Sequence, residues 1–170
     1  MVVDYIINKI LGGVIVINIV NGDILDFESS VDIIVNAWNR NYIPHRMLVT
    51  HGVSKAIKKK AGLEPFDEVQ KLGLLKLGEA VLTSPGKLSC KGIIHVAGKD
   101  IFWNSSEKAT RISARNIAHL VLENDFKSIA VPLIGCGANK LNEDVCIKIL
   151  KEEFDVISDR EIYIIRYLNN

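Results

Sequence analysis

Residues 14–39 read VIVINIVNGDILDFESSVDIIVNAWN, and the way this stretch divides decides the fold. It holds two apolar runs, residues 14–20 and 31–35, rich in β-branched side chains and too short for buried helices. Such runs predict core strands of a sheet covered on both faces. Each ends in polar chemistry. The first stops at Asn21-Gly22-Asp23, where a turn glycine presents a carboxylate, and the second at Asn36-Ala37-Trp38-Asn39, two amides flanking an indole. In open α/β sheets ligands bind beyond the carboxyl ends of the strands, so these two ends are the first place to look for a site.

Outward from this stretch, further strands are predicted over residues 80–83, 93–96, 129–131 and 162–165; residues 5–11 read equally as an edge strand or a short helix. Helices are predicted over 52–61 and 65–72. The first puts Val53, Ala56, Ile57 and Ala61 on one face and Lys58, Lys59 and Lys60 on a solvated one. Its first turn holds no acid, which leaves the helix dipole available to an anion. A longer helix over 105–124 opens on a capping-box pattern, Asn104 with Glu107 three places on, and has Arg111 and Arg115 on its solvent face. A last helix over 143–153 is capped by Asn142 but begins with Glu143 and Asp144, which occupy its positive end. Residues 40–50, with Pro44, His45 and Arg46, read as a long ordered loop. His95 in a strand and His119 in a helix read as packing residues. Strands alternating with helices predict a three-layer α/β/α domain. The Ser84-Pro85-Gly86 turn between adjacent strands makes its central sheet mixed, though largely parallel.

Composition sets the bounds. At 170 residues and 48% apolar content, one domain over residues 1–170 is expected. A net charge of +1, from 21 basic and 20 acidic residues, gives no global reason to bind nucleic acid or a membrane surface, so any anion site must be local. Three cysteines without CxxC spacing, no signal-peptide pattern and no membrane-length apolar run suit a cytoplasmic setting.

The ordered set GDI at residue 22, VDIIVNAWN at 31, HGVSKAIKKKAG at 51, GEAVLTSPGKL at 78, IIHVAG at 93 and VPLIGCG at 131 resembles the macrodomain family over nearly the whole chain. That resemblance implies an α/β/α macrodomain fold and a site for ADP-ribose, free or attached to a protein or nucleic acid. It gives Asp23 the adenine exocyclic amine, Ile24 a backbone contact to the same ring, and Asn39 a place beside the distal ribose. Asn36, at the same strand end, joins the candidate ligand-binding residues. On residue type alone, Asp23 reads as a turn or cap residue, and Asn36 and Asn39 as structural amides.

Three departures from the family pattern bear on chemistry. Of the usual run of glycines before the first helix only Gly52 survives, within Val49-Thr50-His51-Gly52-Val53. Ser54 stands where the hydrolases of the best-known branch carry Asp. Asn139 stands where an aromatic often follows the second loop. The diphosphate is therefore expected on Gly52 and Val53 at the helix start and on the loop amides of Gly135, Cys136, Gly137, Ala138 and Asn139. His51 is a candidate base in place of the missing Asp, or alternatively a packing or capping residue. Cys136 reads as a small residue in a tight loop rather than a nucleophile. His45, His51 and Cys136 lack the Cys-bearing loop of zinc-binding macrodomains, so neither a metal nor a cofactor is expected. Two functions stay open: an ADP-ribosyl hydrolase using Asn39 and His51, and a non-catalytic reader of ADP-ribose or a related adenine nucleotide. A single-stranded RNA binder, the third class, is disfavoured by the balanced charge and an aromatic content of 6%.

Overall fold

The computed structural model describes residues 3–10, 13–39, 44–47, 52–136 and 141–167. Seven strands form one sheet: β1 (Val3–Ile10), β2 (Gly13–Asn21), β3 (Ile33–Asn39), β4 (Ala80–Thr83), β5 (Gly92–Lys99), β6 (Ser128–Pro132) and β7 (Glu161–Arg166). Their spatial order is β1-β2-β7-β6-β3-β5-β4. The five central strands run parallel, and β1 and β4 close the two edges antiparallel, so the sheet is mixed and largely parallel as expected.

Period-two alternation along the parallel strands sends apolar side chains to both faces, and each face is covered. On one side Ile33, Val35, Ile94, Val96, Ile129, Val131, Ile162 and Ile164 pack under α3 (Glu107–Glu123) and α4 (Glu143–Glu153). On the other, Ile34, Trp38, Ile93, Ala97, Ala130 and Ile165 pack under α1 (Gly52–Ala61) and α2 (Glu64–Lys71), together with a 3-10 turn, Ile24–Phe27. No helix among the described residues is long and apolar enough to cross a membrane.

The local expectations need five adjustments. Residues 5–11, left open, are largely strand: β1 pairs with β2 along its length. The second core strand does not stop at Val35 but runs on to Asn39, because β5 continues beside it and supplies ladder partners for Asn36 through Asn39. The long helix is capped by Ser106, whose hydroxyl accepts from the Ala109 amide at 3.1 Å, and not by Asn104, which closes the preceding turn on Asp100. Arg111 and Arg115 are not merely solvated, since both pair with Glu153 of α4 and Arg111 also with Glu152. His119, read as a packing residue, lies on the exposed face of α3 with its side chain 75% accessible.

Candidate functional site

The carboxyl ends of β2, β7, β6, β3 and β5 lie along one edge of the sheet. After β3 the chain turns to α1 on one face, and after β6 it turns to α4 on the other. Adjacent strands whose connections leave in opposite directions open a crevice between them, and here the crevice falls between β6 and β3.

At the β2 end, Asp23 is the N-cap of the 3-10 turn: its Oδ1 accepts from the Leu25 amide at 3.0 Å. The turn-residue reading is thus correct for one oxygen, and Oδ2 has no partner among the described residues. The Ile24 side chain is buried in the core, so only its backbone amide can face a ligand. The end of β7 lies against this turn, with the Gly22 amide donating to Arg166 O at 3.0 Å. The next residue, Tyr167, is partly exposed. It went unnoticed in the sequence, although any residue just past a parallel strand's end is a candidate by position.

Beyond β6, Gly135 adopts φ +85°, and a Cβ there would come within 2.9 Å of Ser105 Cβ. The loop is drawn that close by two bonds on the Gly135 carbonyl, from Ser105 Oγ at 2.7 Å and from the Leu141 amide at 3.3 Å. Cys136 follows, half-buried. Gly137, Ala138, Asn139 and His51 lie outside the described residues.

At the β3 end, Asn36 is inside the strand and wholly buried. Its Nδ2 lies 3.0 Å from His95 Nδ1, and His95 Nε2 lies 3.1 Å from Thr83 Oγ1, so a polar chain crosses β3, β5 and β4 within the sheet. With Nδ2 donating, His95 carries its proton on Nε2. Burial pushes its pKa down to about 3. Trp38 packs beneath α2 with its ring 5.6 Å from Phe66 and edge-on to His95. The register slips between Trp38 and Asn39, a bulge at the carboxyl end of β3. Asn39 then pairs with Lys99 of β5, whose ammonium is pushed below its ordinary pKa by burial.

Two loops flank this end. Residues 44–47 are fastened to α2: His45 Nε2 lies 2.7 Å from Asp67, the His45 amide donates to Gln70 Oε1 at 3.2 Å, and Arg46 pairs with Asp67 at 2.8 Å. Lys58 of α1 donates to the His45 carbonyl, so this lysine is not simply solvated, as its run suggested. The segment after β5 folds on Asp100, whose carboxylate accepts from the Phe102 and Asn104 amides at 2.8 and 2.9 Å. It presents Phe102 and Trp103 to solvent, Trp103 at φ +67°. Among the described residues no three His, Cys, Asp or Glu side chains converge as a metal site would require.

Helix α1 opens at Gly52, φ +55°, and has no acid in its first turn. The buried Ser54 hydroxyl of that turn has no hydrogen-bond partner among the described residues. A helix start with no acid in its first turn, a tight glycine loop and an aspartate turn therefore share one edge of a doubly covered α/β sheet, an arrangement suited to a phosphate-containing ligand. The macro domain family model matches residues 35–150, and this chain belongs to that family. It is similar to the O-acetyl-ADP-ribose deacetylase of Salmonella newport, 35% identical over 129 residues, covering 71% of this chain and 67% of that protein. A macro domain-containing protein of Listeria monocytogenes is 35% identical over 155 residues, covering 82% and 83%. Among solved structures, the Oceanobacillus iheyensis macrodomain with ADP superposes with a TM-score of 0.76 at 24% identity, covering 100% of this chain and 91% of that one. The Trypanosoma brucei macrodomain in complex with ADP-ribose gives 0.74 at 23%, covering 90% and 64%. These two likenesses establish the fold.

Proposed function

We propose that this chain binds ADP-ribose along the carboxyl edge of its sheet, either free or as a modification on a protein or nucleic acid. The observation that carries the reading is the order of groups along that edge. From β2 to β3 are three strand spacings, about 14 Å. Across them come a carboxylate, then a glycine loop and a helix start with no acid in its first turn, then amides. Adenine, diphosphate and distal ribose follow one another in that sequence. Asp23 and the Ile24 amide take the adenine, with Tyr167 available to stack on it. Gly135 through Asn139 and the Gly52-Val53 helix start hold the diphosphate. Asn39 and His51 border the distal ribose. Asn36 acts from below as a positioning residue, holding the end of β3 through His95.

The similarity to O-acetyl-ADP-ribose deacetylases supports extending the proposal to hydrolysis at the distal ribose, with Asn39 and His51 orienting water. The reader function is favoured by a different observation, Ser54 and no carboxylate in the first turn of α1. Enclosure of all seven strands in one sheet supports a single domain over residues 1–170, and three free cysteines favour a reducing, cytoplasmic setting.

Incubating the protein with O-acetyl-ADP-ribose and with an ADP-ribosylated protein, and following product by mass spectrometry, tests the choice. Multiple turnovers that are lost in Asn39→Ala establish the hydrolase. Binding without product establishes the reader. Neither binding nor product contradicts both.

A further inference from the structure

Two thiols that the ligand reading does not use meet behind the β6–α4 loop. Cys136 Sγ lies 3.9 Å and Cys146 Sγ 3.4 Å from the same acceptor, the carbonyl oxygen of Ile134. Two sulfurs that share one acceptor oxygen are neighbours. They differ in access: Cys136 is half-buried at the loop surface, whereas Cys146 is fully buried in the second turn of α4. They differ in ionisation as well. The neighbouring Cys146 side chain holds the Cys136 thiol below its ordinary pKa, with Lys99 adding to the effect, while Cys146 itself is raised by that same pairing and by burial. A reachable sulfur beside an inaccessible one on the same carbonyl oxygen is the arrangement of an attacking and a resolving cysteine.

We propose that Cys136 is a hydroperoxide-reactive thiol that Cys146 resolves to an intramolecular disulfide. In the first step the Cys136 thiolate attacks one oxygen of hydrogen peroxide, the O–O bond breaks, and Cys136 becomes a sulfenic acid as hydroxide leaves and is protonated to water. In the second, the Cys146 sulfur attacks the sulfenic sulfur, the S–O bond breaks, and hydroxide departs with the Cys146 proton as a second water. Two thiols lose two electrons and two protons, and one peroxide gains them. Closing the bond requires the two sulfurs to leave the shared carbonyl oxygen and approach to about 2.05 Å. The inference does not depend on the identity of the ligand.

The test is peptide mapping of the full chain after limited hydrogen peroxide, with free thiols alkylated under denaturing conditions and no reductant. The expected product is a peptide pair joined through Cys136 and Cys146, two hydrogens lighter than the reduced pair, with Cys90 alkylated. Cys90 is the internal control, since it is buried, donates to the Gly92 carbonyl and has its thiol pushed up by burial. In Cys146→Ser, Cys136 should stop at a sulfenic acid that dimedone traps; in Cys136→Ser, oxidation of Cys146 should slow at least about tenfold. Accumulation of Cys136 sulfinic acid beside an alkylatable Cys146 in the wild type overturns the proposal. So does oxidation of Cys90 first, or no oxidation at peroxide levels that consume a free thiol.

Discussion

Asp23 caps a 3-10 turn with one oxygen, and on the proposed reading the other accepts from the adenine amine. The two roles separate by substitution. Asp23→Asn keeps a cap acceptor and should leave stability near wild type, whereas Asp23→Ala should lower it by about 1 kcal/mol. Both should weaken ADP-ribose binding by about 1–3 kcal/mol through the lost charge-assisted bond. Equal affinity in both variants and the wild type, read by calorimetry, would remove Asp23 from the site. His95 makes a second prediction. Its folded pKa, pushed down to about 3, lies below its ordinary value of 6.5, so the unfolded chain binds the extra proton between them. Stability from this group is complete above about pH 6.5 and falls with acidification by up to about 1.4 kcal/mol per pH unit. Asp67 does not enter that window. Its hydrogen bonds from Arg46 and His45 hold it at about 2, so its contribution is lost only as pH falls below 3.8. Urea unfolding at about pH 7 and about pH 5 should show the loss, and a flat profile would mean that His95 is hydrated.

Among the elements, the 44–47 turn is held by Asp67 and Gln70 of α2 and by Lys58 of α1. Asp67→Ala removes both ion pairs at once. The expected result is faster hydrogen exchange at the Met47 amide, which bonds to Pro44 O, with exchange in α3 unchanged. Protection equal to wild type would show that the aromatic contact of His45 with Phe66 suffices. Element positions were legible where periodicity is strong: the strands over residues 14–20 and 129–131 and the helices α1 and α4 need little adjustment. They were misread where tertiary pairing overrides a local signal. Asn36 carries a turn-former's propensity, yet β5 offers a buried imidazole beside it and the strand continues. Asn104 with Glu107 imitates a capping box, but Asp100 captures Asn104 first, and Ser106 takes the cap.

For the whole molecule, the order of chemical groups along the carboxyl edge follows from the strand order, which the sequence alone does not contain. Motif resemblance supplied Asp23, Gly52 and Gly135 individually; topology is what aligns them in a row. Tyr167 and Lys99 were missed because no motif marks them, and they gain meaning only as residues at the ends of β7 and β5. On the proposed reading this row fits one extended ligand. The most direct test is calorimetric titration of the protein with ADP-ribose, with ADP and AMP as controls. The account predicts binding near micromolar, about −8 kcal/mol, with affinity falling from ADP-ribose to ADP to AMP as distal ribose and then phosphate contacts are removed. Equal affinity for all three, or none for ADP-ribose, would contradict it.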